Sequence, residues 1–270
     1  LNVPDTHEVL FVQGGASTQF AMVPMNLLKT KAAYLDQGAW SNKAIKEAKL
    51  MGEVVVVGSS KDKNYSYMPK GYSIPSDCDY FHITSNETIH GTQIKDFPAS
   101  PIPVVCDMSS DIFSRPVDVS KFDLIYAGAQ KNMGPSGVTL VIIKKDIVGK
   151  HGKTIPTMMD YKTHLENDSL YNTPPVFSIL VCMYTLEWLK SIGGVPAMKK
   201  INDEKAALFY GEVDSNPMFV GTSSQEDRSP MNACFLLKDE SMDEAFMNAA
   251  KAAGIVGIKG HRSVGGFRAS

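Results

Sequence analysis

Lys131 stands in a loop of small residues, Ala127-Gly128-Ala129-Gln130-Lys131-Asn132-Met133-Gly134-Pro135-Ser136-Gly137, between two strongly apolar runs. Phe122 to Tyr126 precedes it and Val138 to Ile143 follows, each with the length and apolar content of a buried strand. A lysine pinned between core strands is expensive to desolvate, so chemistry is a better reason for it than solubility. An amine held there has a lowered pKa and is suited to covalent bonding with an aldehyde. The competing reading is a solvated lysine in a surface turn.

The rest of the chain alternates short apolar runs with amphipathic stretches. Strands are expected at Glu8–Val12, Ala32–Leu35, Glu53–Val57, Tyr80–Ile83 and Val104–Cys106, and helices over Thr18–Leu28 and from an N-cap at Ser41 through Met51. This alternation predicts an α/β fold with a mainly parallel mixed sheet flanked by helices. A long helix, Ser178–Ile192, ends at Gly193-Gly194. Beyond it the pattern becomes α+β: a helix over Lys199–Tyr210, a strand over Asn232–Leu237, a helix over Met242–Ala253 and a strand over Val256–Ile258. The division expected is a large domain over 1–194 and a smaller C-terminal domain over 195–270.

Ligands gather at the carboxyl ends of strands in such sheets. Ser17, Thr88, Asp107 and Lys131 all follow predicted strands, which makes them candidates for one site. Gly14-Gly15-Ala16-Ser17-Thr18 opens a helix after a strand, as a phosphate requires, although glycine pairs also make plain tight turns. Asp107 is placed to pair with a protonated ring nitrogen, or to cap a helix with Ser109 and Ser110. Trp40, before a helix, could stack on a ring or simply pack. Amine, carboxylate, aromatic platform and phosphate turn are the four groups that pyridoxal 5'-phosphate (PLP) needs. His261, Arg262 and Arg268, spaced by glycines, suit carboxylate and phosphate recognition, or form a solvated basic turn.

The 270 residues are 43% hydrophobic, enough for a sizeable core, and the net charge of -2 is spread along the chain. No basic block points to nucleic acid or a membrane surface. No apolar run reaches the roughly 18 residues that span a bilayer. Cys78, Cys106, Cys182 and Cys234 lack CxxC spacing, which fits reduced thiols in a cytoplasmic protein rather than a zinc or disulfide framework. The first residues lack the character of a signal peptide, and without an initiator methionine the chain is expected to start inside a longer protein.

These motifs resemble the phosphoserine aminotransferases, PLP enzymes of the fold-type-I architecture. The resemblance runs over essentially the whole chain. Its most specific segments are Phe11–Leu28, Gly38–Ser41, Asn86–Gly91, Cys106–Ser110, Ala127–Gly137, Tyr171–Pro175 and Lys259–Ser270. It implies that Lys131 is the Schiff-base lysine, Asp107 the partner of the pyridinium nitrogen and Trp40 the stacking ring. Ala16, Ser17 and Gln130 would contact the phosphate, and Thr88 the phenolic side. Asn172 and Thr173 would reach the phosphate held by the other subunit of a homodimer. His261, Arg262 and Arg268 would bind substrate. The implied reaction is reversible amino transfer from L-glutamate to 3-phosphohydroxypyruvate, giving O-phospho-L-serine and 2-oxoglutarate, in L-serine biosynthesis.

Family members carry about a further quarter of chain, mostly before residue 1, including a substrate-binding His-Arg pair, and continue into a closing C-terminal helix. A second expectation is therefore a catalytically impaired PLP-binding fragment or interaction module. A lyase or desulfurase of the same fold is a weaker reading, since no cysteine lies in a glycine-rich loop. A dinucleotide-binding fold is weaker still, because Gly14-Gly15-Ala16 does not supply G-x-G-x-x-G.

Overall fold

In the computed structural model, which describes residues 1–262 and 264–270, the chain builds a seven-stranded sheet. Its strands are β1 (His7–Val12), β2 (Lys31–Asp36), β3 (Glu53–Ser59), β4 (Phe81–Thr84), β7 (Val104–Asp107), β8 (Leu124–Gly128) and β9 (Thr139–Lys144). A short hairpin, β5 (Asn86–Glu87) and β6 (Thr92–Gln93), leaves the end of β4. The order across the sheet is β1-β9-β8-β7-β4-β2-β3, and only β9 runs against the others. The carboxyl ends of β1, β2, β4, β7 and β8 consequently share one edge.

The central strands are buried on both faces, which is why they read as continuous apolar runs rather than alternating ones. Alternate residues feed two cores. Ile83, Cys106, Ile125 and Ile142 point to one; Tyr34, Val105, Tyr126 and Val141 point to the other, under α1 (Gly15–Leu27) and α2 (Ala39–Lys49). Register places Tyr34 beside His82, and Tyr126 beside Asp107. This alternation puts Asp107 on the face that α1 and α2 cover.

Two helix starts differ from expectation. α1 begins at Gly15, so Ala16 and Ser17 lie inside its first turn; Gly14 and Gly15, at φ 96° and 66°, make the sharp entry that other residues resist. Ser41 does not occupy the N-cap of α2, which is Gly38. Its hydroxyl still caps from inside, accepting from the N–H groups of Gln37 (2.8 Å) and Gly38 (3.1 Å).

Helix α3 (Tyr161–Glu166) is followed by α4 (Val176–Ser191) and α5 (Gly194–Ser215), which meet at an 81° bend. Gly193, at φ 106°, provides the turn. Among the described residues no single helix is long and apolar enough to cross a membrane. A three-stranded antiparallel sheet follows, β10 (Phe219–Gly221), β11 (Ala233–Leu237) and β12 (Phe267–Ala269), with α6 (Asp243–Ala252) against it. The strand expected at Val256–Ile258 is absent: Val256 is 86% exposed, and Phe267–Ala269 takes the place beside β11. The reason is packing, because Phe267 lies 5.4 Å from Phe235 and 4.7 Å from Phe246, ring to ring.

Candidate active site

At the shared strand edge, the end of β8 turns into the loop that carries Lys131. Its amine sits 4.9 Å from the centroid of the Trp40 ring. Lys131 is exposed by surface area, yet protein atoms crowd the amine enough that burial lowers its pKa below the usual lysine range. Asp107 and Glu87 oppose that shift, while Arg268 adds to it. Lysine, two carboxylates and an arginine from the second sheet therefore lie within electrostatic reach of one another.

Asp107 ends β7 and is buried. Burial raises its pKa; the Ser109 hydroxyl and N–H (2.9 Å to Oδ1), the nearby Lys131 charge and the Tyr126 hydroxyl pull it back. Tyr126 in turn meets Nε2 of buried His82 at 2.8 Å. If the Tyr126 O–H donates to Asp107, its oxygen must accept from His82 Nε2–H, which makes Nδ1 the bare nitrogen. Nδ1 is the atom of that ring without a partner. Burial pushes His82 down to about 3, so the imidazole is neutral and the relay carries no positive charge. An expected helix cap at Asp107 is realised only as its bond to Ser109, since no α-helix follows β7 directly.

Trp40 opens α2. Its indole N–H donates to Thr88 Oγ1 at 2.9 Å, which fixes the ring plane. Its backbone N–H donates to Glu87 Oε2 at 3.1 Å. Arg268, on β12, donates to the Thr88 carbonyl at 3.1 Å, so the second sheet reaches the same loop. Ala16 and Ser17 lie at the start of α1, where first-turn N–H groups have no partner within the helix. Gln13 Nε2 donates to the Thr173 carbonyl at 2.9 Å, which brings the 172–173 segment to that turn within one chain. Asn172, Thr173 and Gln130 are exposed.

Beside this cluster lies a cavity of about 660 Å³. Its wall includes Lys63, Tyr65, His90, Cys234, His261 and Arg268. Arg262 is exposed and outside that wall, unlike His261 and Arg268. His90 is pushed down to about 4, first by burial and then by His261, so it faces the cavity neutral. Cys234 is buried, and burial pushes its thiol up to about 11, which removes it as a nucleophile.

Glu87, Tyr65, His82 and His90 were not singled out from the sequence. Glu87 and His90 flank Thr88 in Asn86-Glu87-Thr88-Ile89-His90-Gly91, so proximity to a chosen residue was the available signal. Tyr65 follows a polar stretch, Lys61-Asp62-Lys63-Asn64, that reads as plain loop.

Residues 1–270 match the family described as Aminotransferase class-V. A phosphoserine aminotransferase of Flavobacterium johnsoniae is 62% identical over 98% of this chain and 75% of its own length. One from Parabacteroides distasonis is 58% identical over 100% of the chain and 77% of its own length. Among solved structures, the phosphoserine aminotransferase of Bacillus circulans subsp. alkalophilus superposes with a TM-score of 0.96 at 48% identity, covering 99% of this chain and 76% of that one. The PLP-bound enzyme of Trichomonas vaginalis gives 0.94 at 38% identity, over 100% and 79%. The α/β architecture expected of a fold-type-I enzyme is thus the observed one. The chain belongs to the class-V aminotransferases and, within them, to the phosphoserine aminotransferase family.

Proposed function

We propose that this protein transfers the amino group of L-glutamate to 3-phosphohydroxypyruvate, giving 2-oxoglutarate and O-phospho-L-serine, with PLP as its cofactor. The observation that carries the reading is the Lys131 amine, held 4.9 Å over Trp40 and electrostatically coupled to buried Asp107 and to Arg268. The residues present fit PLP: an amine for its aldehyde, a buried carboxylate for its ring nitrogen, an indole for its face and a helix start for its phosphate. When bound, that cofactor supplies an electron-accepting ring.

Lys131 Nζ would hold the cofactor's aldehyde carbon, and its amine is placed to move the proton at the substrate's Cα. Burial favours its neutral form, which is the form that takes up a proton. Asp107 holds the positive ring nitrogen; burial without a cation raises its pKa, so a cationic partner is favoured there. Thr88 serves the phenolic side, and Ala16, Ser17 and Gln130 the phosphate. Asn172 and Thr173 complete that phosphate site across a homodimer. Arg268, His261 and Arg262 hold the substrate's anionic groups, with Arg268 already fixed on the Thr88 carbonyl. Residues 1–194 act as the large domain and 195–270 as the smaller one. The four buried free cysteines support a reducing, cytoplasmic setting.

Lys131→Ala tests the reading. The variant is expected to lose the absorbance of lysine-bound cofactor and amino transfer together. A Lys131→Ala protein that retains full turnover overturns it.

A further inference from the structure

Glu87 is a fully buried carboxylate beside the site that the reaction above does not use. Its side chain is 0% exposed, so it touches neither solvent nor substrate. Oε2 accepts from the backbone N–H of Trp40 and Oε1 from that of Ile89, both at 3.1 Å. Gly38, at φ +146°, lies so close that a Cβ there would sit 2.6 Å from Oε2. Glycine at 38 is what lets the carboxylate reach the first turn of α2.

Its chain neighbours make the same loop a junction. Asn86 Nδ2 donates to Asn232 Oδ1 (2.8 Å) and Ser110 Oγ (2.9 Å), and Asn86 Oδ1 accepts from Ser229 Oγ (2.5 Å). Thr88 holds the Trp40 indole through Oγ1 and Arg268 through its carbonyl. Three consecutive residues therefore tie the aromatic platform to the segment that carries the substrate arginine. Within this junction, only Glu87 grips the Trp40 backbone.

We propose that Glu87 is a positioning residue: its carboxylate fixes Trp40 beside the Lys131 amine and couples that ring to the Arg268 clamp through Thr88. The proposal rests on the amino-transfer reading for its purpose, but its geometry concerns Trp40 alone. A carboxylate is needed because both oxygens must accept. Glutamine, or a protonated carboxyl, offers one acceptor and turns an N–H or O–H against a backbone N–H. The titratable groups that face Glu87 are Lys131, Asp107, Tyr65 and Cys234. Burial, joined by Asp107, outweighs the Trp40 and Ile89 N–H bonds and Lys131 and pushes its carboxyl up to about 7, so the grip loosens near neutral pH.

The test uses a Trp188→Phe parent, a conservative change on α4 that removes the other of the two tryptophans, after it is shown to sediment and turn over like the unchanged protein. Cofactor-free protein is titrated between about pH 5 and 9 while Trp40 emission is read. The emission is expected to shift to longer wavelength as pH falls, with a midpoint near 7. Adding Glu87→Gln should hold emission at the low-pH value throughout. In the PLP-loaded enzyme the same change should lower kcat at least about tenfold, with KM for the amino donor moving less than about threefold. Flat emission that is identical with and without the Glu87→Gln change, or a raised KM at unchanged kcat, overturns the proposal. If Glu87→Gln does not fold, Glu87→Asp decides, since it keeps two acceptor oxygens but shortens their reach to the Trp40 N–H: a lowered kcat at nearly constant KM supports the proposal, and an unchanged kcat overturns it. Failure of the amino-transfer reading would show at Lys131, and failure of this one at Trp40.

Discussion

At the scale of single residues, the site is a set of buried charges whose states are fixed by neighbours. His82 shows this most simply. Its pKa is about 3 when folded against 6.5 ordinarily, because burial disfavours the cation. Between those values the unfolded chain holds a proton that the folded chain lacks, so stability falls as pH drops from 6.5 toward 3. One proton is worth about 1.4 kcal/mol per pH unit. His82→Gln should therefore be less stable than the parent at pH 7, with the gap closing by about 2 kcal/mol by about pH 5 in urea titrations. A gap independent of pH would show that folding leaves the His82 pKa where it is in the unfolded chain.

Lys131, Asp107 and Trp40 were legible because each residue type is chemically unusual where it follows a strand. Glu87 was not, since sequence does not distinguish a solvated glutamate from one whose two oxygens are claimed by backbone N–H groups. Those partners depend on Gly38 approaching from a separate strand-to-helix turn. Arg262 shares a motif with His261 and Arg268 but lies outside the wall of that cavity, a difference the motif does not encode.

At the scale of elements, the central strands were legible from apolar runs, whereas helix starts depended on detail. Ser41 illustrates the difference: serine before an apolar stretch reads as an N-cap, but its hydroxyl works from the third helical position. It is fully buried, accepts two N–H bonds and donates to the Gly38 carbonyl at 3.0 Å. Ser41→Ala should cost about 1–3 kcal/mol in chemical denaturation, because two N–H groups lose their acceptor. A loss below about 0.5 kcal/mol would mean that α2 starts independently of this side chain. Val256–Ile258 misread for another reason: β-branched residues favour strands, but edge pairing went to the segment whose phenylalanine fills the aromatic cluster.

At the scale of the molecule, α4 is apolar on nearly all sides but buries only part of itself. Phe177 is 73% exposed, Trp188 54% and Tyr184 58%. Exposed patches of this kind mark interfaces, and the proposed homodimer would cover this one. The double variant Phe177→Glu and Trp188→Glu should sediment as a monomer where the parent sediments as a dimer. A parent that is monomeric at all concentrations would remove the homodimer, and with it the roles of Asn172 and Thr173 across subunits.

Amino transfer by this chain's own residues comprises a half-reaction that can be followed directly. Its most direct test is a single turnover: PLP-loaded protein mixed with excess L-glutamate, with 2-oxoglutarate and pyridoxamine phosphate both quantified. One equivalent of each per Lys131 site is expected, and neither in Lys131→Ala. Bound PLP that persists unchanged, with no 2-oxoglutarate released, would contradict it.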